Sequence, residues 1–471
     1  MRNLKCDLLI IGAGSGGLSL AAGASQMGAD VILLEGHKMG GDCLNYGCVP
    51  SKALLASGHA AHAQSHSAAF GIADHLPAVD YAAAKAHVQR VIDTIAPVDS
   101  QERFEDFGVR VIRAEGRFVD AKTVEAGDTR ITARRIVIAT GSRPFVPPIP
   151  GLDQVPYLTN ETLWAMTERP AHLIIIGGGP IGLEMAQAHR RLGSQVTVIE
   201  AQTAMGREDP EAAALLLEAL RGEGVAILER TEAQSVHQTG ADIVVETSAG
   251  EIRGSHLMVA VGRVANVERL NLAAAGIETG GAGITTDASL RTTNPRVYAI
   301  GDVAGQGQFT HLAGYHASVV IRSILFGLPS KAKTAHIPRA TYCDPELAQV
   351  GLTEAEARKT HGAGLEVVRF DYAHNDRAIA TRQARGFIKV MVVRGRPVGA
   401  TIVGAQAGEV IATWSLALAN RLKMSQIAAM VAPYPTIAEL NKRVAGAYFS
   451  PRLFENDVVK RVVRLIQRWL P

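Results

Sequence analysis

The chain has 471 residues, of which 47% are hydrophobic and 20% charged, the balance of a folded globular protein of about three domains. Lysine plus arginine exceeds aspartate plus glutamate by only 48 − 45 = 3, which disfavours a nucleic-acid partner. Four cysteines are too few for a disulfide framework, and no apolar run approaches the roughly 18 residues that span a bilayer, so we expect a soluble cytoplasmic protein.

A glycine-rich turn lies near the start of the chain. Residues 6–11 (CDLLII) predict a buried strand that leads through GAGSGG (12–17) into a helix. A second predicted strand, 31–34, is followed by Glu35, 35 − 12 = 23 residues after Gly12. Such glycines let a pyrophosphate approach the helix N-terminus, and the acid accepts hydrogen bonds from ribose hydroxyls. The segment predicts a dinucleotide site at Gly12, Gly14, Gly17 and Glu35.

The same pattern recurs farther along. The predicted strand HLIII (172–176) leads into GGGPIG (177–182) and a helix, and the next strand ends at Glu200, 200 − 177 = 23 residues after Gly177. A second dinucleotide is therefore predicted at Gly177, Gly179, Gly182 and Glu200. An acid at position 200 repels a 2′-phosphate, so we expect NADH rather than NADPH. The alternative is that Arg207 accommodates the phosphate.

The rest of the chain supplies further strand-and-turn pairs and one boundary. RIVIA (135–139) predicts a strand before Thr140 and Gly141, and the proline-rich RPFVPPIPG that follows marks a domain boundary. Strands in HLMVAVGRVAN and RVYAIGDVAG lead into turns at Gly262 and at Gly301-Asp302. From about residue 336 a third domain is predicted, with strands in FIKVMVV and ATIVGA.

Two cysteines follow the first fingerprint closely. Cys43 and Cys48 lie in GGDCLNYGCVPSK (40–52). Five helical residues advance about 7.5 Å, whereas a disulfide needs Cα atoms about 4.4 to 6.8 Å apart, a distortion that Gly47 can supply. Zinc ligation and two unrelated thiols are the alternatives, but zinc wants four ligands and no metal site is predicted. We interpret the two as a redox pair, and Cys6 and Cys343 as packing residues.

Taken together, GAGSGG, GGDCLNYGCVPSK, ATGS, GGGPIGLE and YAIGDVAG resemble the pyridine nucleotide-disulfide oxidoreductases, the family of dihydrolipoamide dehydrogenase, glutathione reductase and mercuric reductase. The resemblance covers essentially the whole chain. It implies an α/β fold with two Rossmann-like doubly wound dinucleotide-binding domains and a C-terminal α+β dimerisation domain, active as a homodimer. The implied domains are 1–146 with 270–335 for FAD, 147–269 for NAD(P), and 336–471 for dimerisation.

The resemblance also implies roles for individual residues. The first fingerprint would hold FAD, with Asp302 on its ribityl or phosphate side, and the second would hold the nicotinamide dinucleotide. Cys48 would face the flavin as the charge-transfer thiol, and Cys43 would be the interchange thiol that meets substrate. Lys52, paired with Glu184, would lie beside the flavin. Further expected cofactor contacts are Thr140, Gly141, Gly262, Gly301 and, through its backbone in FTHLA (309–313), His311.

The chain departs from the family pattern near its C-terminus. Dithiol-using members carry His-Pro-Thr-x-x-Glu, where the histidine moves protons, but here the stretch is APYPTIAE (432–439). Tyr434 replaces the histidine, and Glu439 keeps its offset, as in mercuric reductases, although no paired cysteines follow Cys343. A phenol of pKa about 10 is a poor base near neutral pH. Asp42 beside Cys43 is expected to raise the thiol pKa.

The function predicted is electron transfer from NADH through flavin and a Cys43–Cys48 disulfide to an acceptor that the sequence leaves open. The alternatives are a mercuric or other metal-ion reductase, a dihydrolipoamide dehydrogenase, and a membrane-associated flavoprotein adaptor or redox sensor. The last rests on residues 457–470 (DVVKRVVRLIQRWL), where Val458, Val459, Val462, Val463, Ile466 and Leu470 form an apolar stripe opposite four cations. Such a helix can lie on an anionic membrane, but we expect it to pack on its own dimer.

Overall fold

The computed structural model describes residues 1–469, which form two compact units. The first unit comprises Met1–Ala201 and Leu228–Thr334, and the second comprises Gln202–Ile227 and the chain from Ala335 onward. Leu470, predicted for the apolar stripe of the last helix, lies outside the described residues. The chain has the predicted α/β architecture. The finer division of the first unit into FAD and nicotinamide domains stays a prediction.

Strands and helices alternate along the chain. The strands in residues 1–469 are β1 (Arg2–Ile11), β2 (Val31–Leu34), β3 (Arg110–Ile112), β4 (Gly116–Phe118), β5 (Thr123–Ala126), β6 (Thr129–Ile138), β7 (Ser142–Pro144), β8 (His172–Ile176), β9 (Gln195–Glu200), β10 (Ala226–Glu229), β11 (Ala233–Thr239), β12 (Asp242–Thr247), β13 (Gly250–Gly254), β14 (His256–Val259), β15 (Arg263–Ala265), β16 (Thr279–Gly280), β17 (Gly283–Ile284), β18 (Val297–Ala299), β19 (Arg339–Thr341), β20 (Glu346–Gly351), β21 (Leu365–Asp371), β22 (Phe387–Val393) and β23 (Arg396–Gly404).

The α-helices in the same residues are α1 (Ser15–Gln26), α2 (Gly41–Asn45), α3 (Cys48–Gln64), α4 (Tyr81–Ile95), α5 (Gln101–Asp106), α6 (Pro180–Arg191), α7 (Pro210–Gly222), α8 (Thr310–Phe326), α9 (Glu354–His361), α10 (Asp376–Ala380), α11 (Ala407–Val410), α12 (Ala412–Ala419), α13 (Met424–Ala428), α14 (Glu439–Phe454) and α15 (Asp457–Trp469). Short 3-10 turns join several of them, and the one at Gly301–Ala304 carries Asp302.

The largest sheet of the first unit has the order β3-β2-β1-β6-β5-β4, with β18 also paired to β6. Strands β3, β2, β1, β6 and β18 are mutually parallel, whereas β4 and β5 add an antiparallel extension. Every residue from Leu8 to Ile11 and from Val31 to Leu34 is buried, as expected for parallel strands covered on both faces. Strand β1 begins four residues before the predicted start because it continues to pair with β6 back to Arg2.

A second sheet repeats this plan with the order β10-β9-β8-β14, in which β8 is parallel to both β9 and β14. The antiparallel sheet β11-β12-β13 adds to the same unit. Strands β7 and β15 form a two-stranded antiparallel ladder in which Ser142 lies opposite Ala265. The glycine turns of both parallel sheets thus lie at the carboxyl ends of their first strands, where α/β folds bind ligands.

The second unit is built on the antiparallel sheet β19-β20-β23-β22-β21. Strand β22 coincides with the predicted FIKVMVV. The core of the second unit contains the fully buried Trp414 of α12, whose Nε1 donates to Asn441 Oδ1 of α14 at 2.6 Å. Among residues 1–469, no helix combines the length and the apolar composition that crossing a bilayer requires.

A buried cation ties three carboxylates together in the second unit. Lys389 of β22 is 6% exposed, and its Nζ lies 3.0 Å from oxygens of Asp209, Glu211 and Glu354. Burial by itself lowers the pKa of Lys389, but hydrogen bonds to these carboxylates outweigh it and raise the pKa above its ordinary value. Asp209 is itself buried and also accepts from the backbone N–H of Glu211 at the start of α7.

We therefore expect Lys389→Met to lower the free energy of unfolding by about 3 to 5 kcal/mol, because Asp209 would stay buried without its cation. The matched control is Arg385→Met, since Arg385 pairs with Glu218 on the surface of the same unit and the loss should be below about 1 kcal/mol. Urea unfolding monitored by circular dichroism measures both variants. Equal losses in the two would contradict the burial argument.

Candidate active site

The first glycine turn has three glycines with three different surroundings. Gly12 has φ +109°, and a Cβ there would lie 2.5 Å from the carbonyl oxygen of Ala139. A Cβ on Gly17 would lie 1.9 Å from the carbonyl oxygen of Gly12, so α1 can pack on β1 only without a side chain at that position. A Cβ on Gly14 would meet nothing within 4 Å. The open space at Gly14, at the N-terminus of α1, suits a pyrophosphate.

The second glycine turn reproduces the first closely. Gly177 has φ +116°, with a would-be Cβ 2.4 Å from the carbonyl oxygen of Ala260, and a Cβ on Gly182 would lie 2.0 Å from the carbonyl oxygen of Gly177. Gly179, before α6, again faces space that is empty to 4 Å. The residues at both turns therefore fit a dinucleotide, which agrees with two separate cofactors.

The two acids predicted at the strand ends contact their own glycine turns. Glu35 Oε2 accepts from Ala13 N, and Glu200 Oε2 accepts from Gly178 N, each at 2.8 Å. Glu35 Oε1 also accepts from His37 N at 2.7 Å. A carboxylate has about four acceptor positions, so either acid can hold its turn and still accept from a ribose hydroxyl.

The two cysteines lie on either side of a break between helices. Cys43 is in α2, Cys48 is the first residue of α3, and Tyr46 and Gly47 separate the helices. The interruption predicted at Gly47 is therefore present. Both residues are free thiols in the structure, Cys43 half-buried and Cys48 exposed. Cys48 Sγ lies 3.3 Å from Oγ1 of Thr310, the first residue of α8.

The two thiols have opposite acidities. The pKa of Cys48 is lowered to about 6. The main cause is a hydrogen bond from Cys43, and a hydrogen bond from Thr310 and the charge of Lys52 add to it. The same hydrogen bond between the two thiols, with burial, raises the pKa of Cys43 far above its ordinary value. Asp42 raises the pKa of Cys43 as predicted, but it is the smallest of the named causes. At neutral pH the pair is a Cys48 thiolate that accepts a hydrogen bond from a Cys43 thiol.

Lys52 and Glu184 form the ion pair that the resemblance implied. Lys52 Nζ on α3 donates to Glu184 Oε2 on α6 at 2.8 Å, and the Glu184 side chain is 6% exposed. Glu184 lies two residues beyond Gly182, so the pair connects the helix that begins at Cys48 with the helix that begins at the second fingerprint. The cation is thereby fixed one turn along α3 from Cys48.

A polar network joins Asp42 to Asp302. Arg263 lies 3.0 Å from Asp42 Oδ1, and its Nε donates to Ser142 Oγ at 2.8 Å. Ser142 in turn donates to Asp302 Oδ2 at 2.6 Å, while burial raises the pKa of Asp302. No role for Arg263 or Ser142 was predicted from the sequence. The carboxylate beside Cys43 is therefore paired with a cation that the sequence alone did not indicate.

The other predicted cofactor residues are held by backbone contacts. Thr140 and Asn266 exchange two hydrogen bonds, at 2.7 and 3.0 Å, and this fixes the turn at Gly141. A Cβ would meet nothing within 4 Å at Gly141 or at Gly262, both of which have positive φ. Gly301 N donates to Nδ1 of the buried His316, and His311 lies exposed in the first turn of α8. The space at Gly141 and Gly262 is compatible with the predicted cofactor contacts.

An open pocket of about 740 Å³, its solvent-filled mouth included, adjoins Cys43. It combines apolar side chains of α1 with the half-buried carboxyl group of Asp99 and with Arg103. Partial burial raises the pKa of Asp99, and the charge of Arg103 opposes this effect. Sequence reasoning did not identify this pocket. Residues that line it include Cys43, Thr310, Ser15, Leu18, Asp99 and Arg103.

Tyr434 and Glu439 belong to the second unit. The exposed Tyr434 hydroxyl donates to Asp376 Oδ2 at 2.7 Å, and this contact raises the pKa of the phenol. Glu439 begins α14 and pairs with Arg443 at 2.8 Å. Tyr434 is thus a hydrogen-bond donor and is still less able to act as a base than an ordinary phenol. Within residues 1–469, no three histidine, cysteine or acidic side chains are grouped so as to hold a metal ion.

Comparisons with known proteins agree with this geometry. Residues 6–317 match the family described as "Pyridine nucleotide-disulphide oxidoreductase", and residues 337–445 match its dimerisation domain. The chain is 34% identical to a mercuric reductase of Streptomyces lividans, over 96% of this chain and 97% of that protein. It is 35% identical to a mercuric reductase of Acidithiobacillus ferrooxidans, over 96% and 83%.

Two solved structures are similar as well. The Cu(II) complex of the HOCl-induced flavoprotein disulfide reductase RclA from Escherichia coli has a TM-score of 0.84 and 27% identity, covering 93% of this chain and 99% of that one. LpdA from Mycobacterium tuberculosis has a TM-score of 0.86 and 25% identity, covering 95% and 99%.

The thiol asymmetry predicts how the two cysteines react with iodoacetamide in the reduced protein. Alkylation of Cys48 should be half-maximal near pH 6 and complete its rise by neutral pH, whereas Cys43 should stay unreactive there. Cys43→Ala should raise the Cys48 midpoint by about one to two pH units, the equivalent of one hydrogen bond to a charged group. Cys43→Ser keeps a hydrogen-bond donor, so it should change the midpoint pH for Cys48 alkylation less than Cys43→Ala does. Mass spectrometry of tryptic peptides reads both sites, and faster alkylation of Cys43 would overturn the assignment.

Proposed function

Since this chain belongs to the pyridine nucleotide-disulphide oxidoreductases, we propose that it passes two electrons from NADH through Cys43 and Cys48 to a thiophilic metal ion held as a thiolate complex. Members of the family bind FAD and NAD(P)H, and the chain is a flavin-dependent oxidoreductase with the family's dimerisation domain. The observation that carries the choice of acceptor is the Tyr434 hydroxyl, which donates to Asp376 and so cannot take a proton from a thiol.

The first fingerprint would hold FAD, and the second the nicotinamide dinucleotide. When bound, FAD would take a hydride from the nicotinamide and supply two electrons to a Cys43–Cys48 disulfide. That disulfide with two electrons and one proton gives the Cys43 thiol and the Cys48 thiolate, the same protonation states that the pKa values favour. Lys52 stabilises the thiolate by its charge, and Glu184 holds Lys52 in place.

A thiol pair of this kind suits a soft metal ion. Thiolate sulfur is the preferred ligand of soft metals, and an incoming complex would exchange its own thiolates for Cys43 and Cys48. One displaced ligand would leave with the proton of Cys43. The pocket beside Cys43 offers room for a small thiolate complex, with Arg103 available to an anionic ligand. Both curated relatives above are named mercuric reductases, and the RclA structure holds Cu(II). Mercuric ion, which takes both electrons, is therefore the first ion to test. Cu(II) is the second, with two ions taking one electron each.

We infer that the active form is a homodimer in which the second unit of one protomer completes the site of the other. The match of residues 337–445 to a dimerisation domain supports the assembly. Tyr434 is exposed within its own chain, as a residue that serves a partner's site would be. Its single hydroxyl hydrogen is donated to Asp376, so the hydroxyl would offer an oxygen acceptor near the partner subunit's Cys43.

Cofactor choice is proposed to follow from Glu200. NADH should reduce the flavin more efficiently than NADPH, because the carboxylate repels a 2′-phosphate. Glu200→Gln removes the charge but keeps an oxygen that accepts from Gly178 N, so the second glycine turn should be preserved. The preference for NADH over NADPH should fall by about tenfold. The matched control is Glu35→Gln in the first fingerprint, which should leave the ratio unchanged. Stopped-flow flavin reduction measures both, and a wild-type preference for NADPH would refute the proposal.

The acceptor is tested by NADH oxidation with the purified holoenzyme. Mercuric ion in excess small thiol should be reduced, and Cys43→Ser should abolish the reaction. Lipoamide should be a poor substrate of the wild-type protein. Tyr434→His should raise lipoamide turnover at least tenfold, because a positioned general base contributes a factor of about 10² to 10⁴ in rate. The control, Tyr434→Phe, supplies no base and should show no gain.

Two results would contradict this reading of the site. Wild-type lipoamide turnover that exceeds turnover with every metal complex would make the protein a dihydrolipoamide dehydrogenase. Mercuric reduction that survives Cys43→Ser would show that the thiol pair is not the route to the metal.

A further inference from the structure

The last helix of the described chain has two sharply different faces. With about 100° between successive residues, the apolar side chains of α15 occupy a continuous sector of about 160°. Leu465 and Trp469 belong to this sector together with the predicted valines and Ile466. None of the described side chains of α15 is buried; Val462 is 48% exposed, Leu465 61% and Trp469 75%. An apolar surface of this kind calls for an apolar neighbour.

The opposite face carries the charge. Lys460, Arg461, Arg464 and Arg468 lie there with a single acid, Asp457, so the helix has a formal charge of 4 − 1 = +3. The chain as a whole carries the same +3, which leaves the remaining residues balanced. The net charge of this one helix therefore equals the net charge of the whole chain. At 13 residues α15 is about 20 Å long, too short to cross the hydrocarbon core.

We propose that α15 lies in the surface of an anionic lipid bilayer, with its apolar face among the acyl chains and its basic face at the phosphates. A strongly charged Lys/Arg face opposite Val, Leu, Ile and Trp, with a helix axis in the plane of the interface, is the arrangement that binds such surfaces. Trp469 suits the headgroup depth, where its ring is partly apolar and its N–H stays hydrated.

Charge favours a lipid surface over a second copy of the helix as the neighbour. Two copies of α15 packed face to face would bring +3 beside +3, whereas anionic headgroups neutralise the cations. The match to the family's dimerisation domain also ends at residue 445, before α15 begins at Asp457. The helix thus lies beyond the residues matched to that domain. Membrane binding would keep the NADH-driven thiol pair at the lipid surface.

The test is co-sedimentation of the full-length holoenzyme with vesicles. Vesicles of phosphatidylcholine with phosphatidylglycerol should bind the protein, whereas pure phosphatidylcholine should bind it at least tenfold less. High salt should release it. Each cation contributes roughly fivefold to such partitioning, so R464Q/R468Q should weaken binding about 25-fold. The matched control, R130Q/R358Q, removes two exposed arginines elsewhere and should bind like wild type.

The apolar face is tested by V462S/I466S, which should lower binding at least tenfold while leaving NADH-driven flavin reduction and the dimer mass unchanged. Emission of Trp469 should shift to the blue on anionic vesicles, and W469F should lack that shift. Equal binding to neutral and anionic vesicles would overturn the proposal. So would wild-type binding by V462S/I466S, or dissociation of that variant to monomers in light scattering, which would make α15 an interface between copies.

Discussion

The first unit depends on two places where helix and strand touch with no side chain between them. Gly17 and Gly182 lie in the first turns of α1 and α6, so close to the preceding glycine turns that a Cβ would lie 1.9 and 2.0 Å from the carbonyl oxygens of Gly12 and Gly177. Because each helix starts there, its N-terminal N–H groups face the space left open by the middle glycine. Glu35 and Glu200 then hold the turns from the neighbouring strand ends. One steric requirement, met twice, thus creates two turns that fit a dinucleotide.

The chemistry of the thiol pair follows from how its helices start. Ending α2 at Asn45 and beginning α3 at Cys48 places Cys48 at a helix N-terminus, where an anion is favoured. Cys43 and Thr310 add hydrogen bonds to the same sulfur, and Lys52 adds a charge that is fixed by Glu184. The consequence is one thiolate and one thiol at neutral pH. Cys43, the protonated member of the pair, is also the one that lines the pocket together with Thr310.

The second unit differs from the first, because the residues for which we propose roles lie on its surface. Tyr434 is exposed and donates to Asp376, and none of the described side chains of α15 is buried. The stability of the second unit rests on a buried sheet and on Lys389 among three carboxylates. The unit can thus be stable by itself and still present surfaces to a partner protomer and to lipid.

Much of the first site was predictable, because its determinants are local in sequence. Glycine spacing, strand-end acids and the Cys43–Cys48 segment each lie within about 25 residues, a range in which chain geometry alone restricts the options. The path from Asp42 through Arg263 and Ser142 to Asp302 could not be read in this way, nor could the 3.3 Å contact of Cys48 with Thr310. These partners are up to 262 residues apart, and only the parallel sheets bring them together. Sequence alone predicted that Asp42 would raise the pKa of Cys43. The tertiary structure decided that Arg263 pairs with this carboxylate and that Cys48 dominates instead, because hydrogen bonds and ion pairs depend on distances that folding sets.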